Sequence, residues 1–328
     1  MDELYLRQTD SLNDGGHMRE HHIAVNGVSL HVVECGEGSA VLFCHGFPDT
    51  WRSWRQQMNA VAHAGYRAIA LDMRGYGESS GPDEASAYTA LNIVGDLVAI
   101  LNHMNCETAT LVGHDFGAVA AWTAALIRPD RFRAVFGLSV PPFDFDGGNF
   151  LSELREKGQH DFYMFRQMSP AADNEWADAK NTIPAAFYWT SAEAPKGERW
   201  HPMDINRGLL RPTPVKRPRF VEPTDFALMI DQFKKNGFHR PLNYYRALES
   251  YIDMMPAFAG CRIQVPSFFI IGAADGLNEL HPVTTEILQH VLTDLREFIV
   301  LPDVGHWPQL EAPEQTNSAL IGFLDAIY

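Results

Sequence analysis

The chain alternates between two hydrophobic patterns. Short, nearly continuous apolar runs fall at 28–33, 40–43, 67–71, 108–112, 132–139, 267–271 and 297–301. Runs of this length suit strands buried on both faces. Between them, apolar residues recur three and four positions apart at 51–62, 91–101, 118–127, 283–291 and 312–327. That spacing places them on one face of a helix. Strand–helix alternation of this kind predicts an α/β fold, a mostly parallel sheet with helices on both faces.

The alternation stops between 141 and 240. This stretch is aromatic and proline-rich, and Pro195, Pro202, Pro212, Pro214, Pro218 and Pro223 forbid long continuous elements there. It predicts an inserted helical cap with loops. The expected organisation is a loose leader over 1–16, a core made of 17–140 and 241–328, and a cap over 141–240. Open parallel sheets bind ligands at the carboxyl ends of their strands. A cap inserted at that edge would cover the site.

Charge narrows the partners. With 26 Lys and Arg against 41 Asp and Glu, the net charge is −15. Such a chain is poorly suited to nucleic acid or to an anionic membrane surface. Acidic Asp2 and Glu3 stand where a signal peptide would be basic, and no apolar run is long enough to span a bilayer. Cys35, Cys44, Cys106 and Cys261 are scattered, with no CxxC, and the fourteen histidines show no HExxH. These features predict a cytoplasmic protein with reduced thiols and no metal or organic cofactor.

The chemistry concentrates at strand ends. Gly113-His114-Asp115-Phe116-Gly117 lies between a predicted strand and a predicted helix, with the form of a nucleophile elbow carrying Asp in place of Ser. The turn is sharp, so side chains two positions either side of the nucleophile would strike backbone, and glycine occupies both. Asp115 would stand at the mouth of the sheet. His306 follows the 297–301 strand and precedes the last helix, where a catalytic base would fall in the order nucleophile, acid, histidine. Asp275 follows the 267–271 strand and can accept from the imidazole, with Glu279 as its substitute. After the 40–43 strand, Cys44-His45-Gly46-Phe47-Pro48 forms a fixed turn. There the Phe47 N–H can pair with that of Phe116 as an oxyanion hole. Each motif alone also fits an ordinary turn or helix cap; the combination of order, residue type and context points to catalysis.

Three stretches carry a family resemblance. His45-Gly46-Phe47-Pro48 with Trp51 and Trp54, then Asp72-Met73-Arg74-Gly75-Tyr76-Gly77-Glu78-Ser79-Ser80, then the Asp115 elbow resemble a soluble epoxide hydrolase of the α/β-hydrolase fold. The cap stretches from Gln232 to Phe238 and from Pro241 to Arg246 are similar as well, and the likeness runs from about His22 onward. The resemblance implies hydrolysis of an epoxide to a diol through an ester on Asp115, with His306 activating water. It also implies two cap tyrosines as proton donors. Tyr245 occupies the matching position of Asn243-Tyr244-Tyr245-Arg246. The first cap motif, around 160–167, is one residue short: counting back from Gln167 gives Phe162, and counting forward gives Tyr163. Only a tyrosine can donate, so Tyr163 is taken, with Tyr188 as the alternative.

The partners expected are a small hydrophobic epoxide and water, with the chain a monomer or homodimer. The substrate pocket is expected to be aromatic, with Trp51, Phe143 and Trp307 beside Phe47 and Phe116. Two rival readings remain. A haloalkane dehalogenase shares the elbow but carries a Trp after the nucleophile and often an Asn in the His-Gly-x-Pro turn; here these are Phe116 and Phe47, and a fluoroacetate dehalogenase would place Arg at 116. A silent α/β-hydrolase serving as a ligand-binding protein would not need Asp115, Asp275, His306 and a donor tyrosine together.

Overall fold

The computed structural model describes residues 18–144, 146, 148–280 and 282–328. The expected leader lies outside the described residues. Eight strands form one sheet: β1 (Arg19–Val25), β2 (Val28–Cys35), β3 (Ala40–Cys44), β4 (Arg67–Leu71), β5 (Ala109–His114), β6 (Phe132–Leu138), β7 (Ser267–Gly272) and β8 (Leu295–Leu301). Their order is β1-β2-β4-β3-β5-β6-β7-β8. The β1/β2 and β2/β4 pairs are antiparallel and every other pair is parallel. Central strands β3, β5 and β7 are buried at every position, which is why they read as unbroken apolar runs.

Strand β1 was not among the predicted elements. Its sequence, REHHIAV, buries only Ile23, so it carries no strong apolar period. What fixes it is the turn that follows. Asn26 and Gly27 both adopt positive φ, 50° and 76°, in a two-residue hairpin connection to β2.

Helices α1 (Arg55–His63), α2 (Ala90–His103) and α3 (Phe116–Ile127) connect the first six strands. The helix expected from 51 begins as a 3-10 turn at Trp51–Trp54 before α1. Between β6 and β7 come α4 (Phe150–Glu156), α5 (Tyr163–Met168), α6 (Ala172–Trp176), α7 (Ala179–Thr190), α8 (Pro223–Asn236), α9 (His239–Arg246) and α10 (Leu248–Met254). The prolines act as foreseen: Pro223 opens α8, and the long connection before it holds only a 3-10 turn at Ile205–Arg207. The boundary expected at 240 falls inside α9, and the chain rejoins the sheet only at β7. After β7 come α11 (Gly276–Leu280), α12 (Thr285–Val291), α13 (Pro308–Glu311) and α14 (Pro313–Ile327).

Two apolar cores sandwich the sheet. One joins it to α2, α3 and the helices between β6 and β7; the other joins it to α1 and α14. No helix among the described residues is long and apolar enough to cross a membrane.

Candidate active site

Asp115 sits between β5 and α3 with φ 55° and ψ −122°. A non-glycine residue in this region is strained by about 1–3 kcal/mol and persists only where its surroundings hold it. Here they do. A Cβ on Gly113 would lie 2.4 Å from the Gly117 carbonyl oxygen, and one on Gly117 would lie 2.1 Å from that of Cys44. The bare backbones close the turn, and the N–H groups of Ala118 and Val119 donate to the Asp115 carbonyl at 3.0 and 3.2 Å.

The carboxylate faces the loop after β3. Its Oδ1 accepts from the Phe47 N–H at 2.7 Å. The loop is held by neutral His45, whose Nε2 accepts from the Met73 N–H at 3.0 Å while its Nδ1–H donates to the Gly46 carbonyl at 2.9 Å. Burial pushes the His45 imidazolium pKa down, so the neutral ring persists. The Phe47–Pro48 bond is cis. Phe116 opens α3, so its N–H lacks an intrahelical acceptor. It donates no hydrogen bond to the carboxylate.

His306 approaches from the loop after β8. Its Nε2 is 3.8 Å from Asp115 Oδ2, and its Nδ1 is 2.8 Å from Oδ2 of the fully buried Asp275. Asp275 is braced in turn, since its Oδ1 accepts from the Leu277 N–H at 2.9 Å. Glu279 is turned away, with its carboxylate 3.6 Å from Arg207. The His306 backbone is clamped on both sides. Its N–H donates to the Thr190 carbonyl at 2.9 Å, and its carbonyl accepts from Ser139 Oγ at 2.9 Å and His114 Nε2 at 2.7 Å. Glu311 accepts from the N–H groups of Ala192, Gly305 and Trp307 and so ties the same loop to the end of α7. Thr190, Ser139 and Glu311 carry no local sequence signal for this role.

These contacts set the charges. Burial opposes a charged His306, but the carboxylates of Asp275 and Asp115 outweigh it and raise its pKa to about 10. Burial alone would raise the Asp115 pKa; His306 and the Phe47 N–H hold it below the usual carboxylate value. The resting pair is therefore imidazolium and carboxylate. Neighbouring His114, desolvated and beside the His306 charge, is pushed down to about 3 and stays neutral.

Above the carboxylate lies a cavity of about 30 Å³. Asp115, His306, Phe47 and Trp307 meet Tyr163, Tyr245, Trp176, Trp200, Leu209 and Leu277 around it. Tyr245, on α9, sets its ring edge-on to Phe116 at 4.7 Å and to Phe47 at 5.3 Å. Tyr163, the first residue of α5, stands 6.2 Å from Tyr245 between ring centroids. Neither hydroxyl has a hydrogen-bond partner among the described residues. Tyr244, by contrast, donates to the Arg74 carbonyl at 3.1 Å. Burial raises the pKa of both cavity tyrosines well above the ordinary phenol value; the charge of Asp115 adds to this at Tyr163, and Tyr163 followed by Asp115 adds to it at Tyr245. Both therefore keep their protons.

Residues 39–313 match the family model described as alpha/beta hydrolase fold. Over 313 residues the chain is 51% identical to an epoxide hydrolase of Caballeronia sordidicola, covering 95% of each sequence. The chain belongs to the epoxide hydrolase family of the α/β-hydrolase fold. It is also 35% identical to epoxide hydrolase 3 of Siraitia grosvenorii, covering 93% of this chain and 98% of that one. Among solved structures, epoxide hydrolase A from Mycobacterium thermoresistibile superposes with a TM-score of 0.84 at 33% identity, covering 93% of this chain and 98% of that one. An epoxide hydrolase from an endophytic Streptomyces gives 0.87 at 32% identity, covering 96% and 97%.

In this hydrolase the expected substrate pocket needs both correction and completion. Trp51 does not line the cavity: the 3-10 turn sends its indole into the α1-side core, with Arg52 and Arg55 over its face at 4.9 and 5.8 Å. Phe143 is also outside it, packed on Tyr251 and Phe150. Trp307 does line it, and is fixed by stacking on Phe187 at 4.0 Å and donating from Nε1 to Thr190 Oγ1 at 2.7 Å. Tyr188 packs instead with Trp189 and Trp200 in a separate cluster and is not part of the lining. Trp176, Trp200, Leu209 and Leu277 were not foreseen.

Proposed function

We propose that this hydrolase converts epoxides to vicinal diols through an alkyl ester on Asp115. The observation that carries the reading is the shared cavity. A carboxylate held in nucleophile geometry faces two protonated tyrosine hydroxyls with no partner of their own.

Asp115 Oδ2, the oxygen not engaged by Phe47, attacks a ring carbon of the epoxide. The carbon–oxygen bond breaks and an alkoxide leaves. An alkoxide is strongly basic; the hydrogen bond from Tyr163 or Tyr245 stabilises it, that tyrosine passes it the proton, and the tyrosinate regains a proton from solvent. In the second step His306 Nε2 removes a proton from water, which attacks Cγ of Asp115. Negative charge then grows on Oδ1, which the Phe47 N–H already meets, with the Phe116 N–H as second donor. Collapse releases the diol and restores the carboxylate.

Charge keeps the two steps in order. While Asp115 is ionised, it helps hold His306 protonated. Esterification removes that negative charge and lowers the His306 pKa, so the imidazolium releases its proton to solvent and the base becomes available when it is needed.

The helices between β6 and β7 act as the cap in this reading, and both donor tyrosines come from them. The aromatic lining favours small hydrophobic epoxides. The four cysteines are free thiols, which suits the reducing cytoplasm. A haloalkane reading is disfavoured because the side chains of Phe47 and Phe116 offer no donor to a halide, and halide needs no proton from tyrosine. A panel of aryl and alkyl epoxides with matched haloalkanes tests the proposal. Diol without halide release is expected; halide release without diol would overturn it.

A further inference from the structure

A second cluster of ligating side chains lies on the β1–β2 hairpin. His22 and His31 are direct cross-strand partners, and their rings stand 5.1 Å apart. Glu20 precedes His22 by two residues, so strand geometry puts it on the same face. Its Oε2 lies 3.9 Å from His31 Nε2. Glu78, from the turn after β4, brings Oε2 to 3.8 Å from His22 Nε2. The ligand atoms of His22, His31 and Glu78 all lie within 4.8 Å of one another.

His31 supplies the independent observation. Its side chain is 1% exposed, and its Nε2 has no hydrogen-bond partner. That buried nitrogen is aimed into the cluster. The opposite nitrogen, Nδ1, is 2.9 Å from Asp72 Oδ2. Once a cation displaces the Nε2 proton, the proton left on Nδ1 would donate to the carboxylate and Nε2 would present its lone pair. A carboxylate behind a ligating imidazole fixes its tautomer and raises its basicity. Asp72 Oδ2 also accepts from the Glu78 N–H at 3.0 Å, so one buried carboxylate positions two of the candidate ligands. The turn fits tightly for this purpose: Gly77 has φ 51°, and a Cβ there would come within 2.2 Å of the Asp72 carboxylate.

We propose that Glu20, His22, His31 and Glu78 form a binding site for a divalent cation of the zinc class. Two imidazoles with carboxylates suit such a borderline cation better than hard Mg²⁺ or Ca²⁺, which prefer all-oxygen shells. Ligands around tetrahedral zinc stand about 3.4 Å apart. The cluster must therefore close slightly, and His22 and Glu78, 52% and 49% exposed, are free to swing inward. Without the cation, burial opposes a charged His31, but the carboxylates of Asp72 and Glu20 outweigh it and favour its protonation. A dication must displace that proton, and the same carboxylates attract its double charge more strongly. Bound there, it would cross-link β1, β2 and the 72–80 turn and stabilise the fold by mass action.

Calorimetric titration of zinc chloride into the chelator-treated full chain, with melting curves, tests the site. Wild type is expected to bind one equivalent that His22→Ala and Glu78→Gln each weaken by more than about tenfold. His22→Cys is expected to restore it. Zinc should raise the melting temperature of wild type and not that of His22→Ala, while magnesium chloride raises neither. Metal-free epoxide hydrolysis by His22→Ala should equal that of wild type. Equal zinc affinity and equal thermal shifts in wild type and His22→Ala would overturn the proposal. So would wild-type binding weaker than about 1 mM, or magnesium binding as tight as zinc.

Discussion

His306 Nε2 stands 3.8 Å from Asp115 Oδ2, near enough for their charges to couple but beyond hydrogen-bond length. Asp275, on the other side of the ring, is within hydrogen-bond length at 2.8 Å. The imidazole is thus oriented from behind and left unbound in front. This asymmetry suits a base that must address water over an ester and must not compete for the attacking oxygen.

It follows that His306→Gln should form the ester and fail to release it. Intact-mass spectrometry after incubation with epoxide should show the protein heavier by one substrate. Turnover at the normal rate with an unmodified mass would remove His306 from the mechanism.

In the proposed mechanism the tyrosines act on the first step. Tyr245→Phe and Tyr163→Phe each remove one donor from the developing alkoxide while keeping the ring. Each should slow ester formation by the equivalent of about 2–4 kcal/mol. The double change should nearly abolish it, with ester hydrolysis less affected. Because neither hydroxyl has a partner to lose, the melting temperatures should stay close to wild type. Stopped-flow ester formation and thermal denaturation check both points. An unchanged rate in Tyr163→Phe would reduce that residue to packing.

The two half-reactions should differ in pH dependence. Asp115 is held below the usual carboxylate value, so it is ionised throughout the neutral range. His306, raised to about 10 in the free enzyme, is protonated there, and the first step does not need it neutral. Ester formation should therefore be flat between about pH 6 and 8. Hydrolysis needs neutral His306 in the ester, where its pKa is lower, so its rate should rise with pH to a plateau and fall in acid. Single-turnover measurements separate the two. Ester formation that rises with pH in step with hydrolysis would mean that His306 must be neutral from the start.

The sequence was most legible where function sits at strand ends. Asp115 in its elbow, Asp275 and His306 each follow an apolar run, and the structure brings these three expected site residues together. The supports were hidden because distant chain segments supply them. Nothing local in Thr190, Ser139 or Glu311 marks them as holding the His306 loop. Aromatic identity also did not reveal direction: Trp51 and Phe143 suited a pocket by type, but the local turn sends Trp51 into the α1-side core and cap packing sets Phe143 on Tyr251 and Phe150. That Tyr163 lines the cavity and Tyr188 does not follows from the positions of α5 and α7, which the sequence did not reveal. The facing of His22 and His31, nine positions apart, depends on a hairpin register that spacing alone does not reveal.

The central claim is that the substrate is joined to Asp115 before water enters. A single turnover in oxygen-18 water, with enzyme in excess of epoxide, tests it most directly. The account predicts a diol whose new oxygen is unlabelled, since it comes from Oδ2 of Asp115, and a peptide containing Asp115 that has gained the heavy isotope. Diol carrying solvent oxygen after that first turnover, with Asp115 unlabelled, would contradict it.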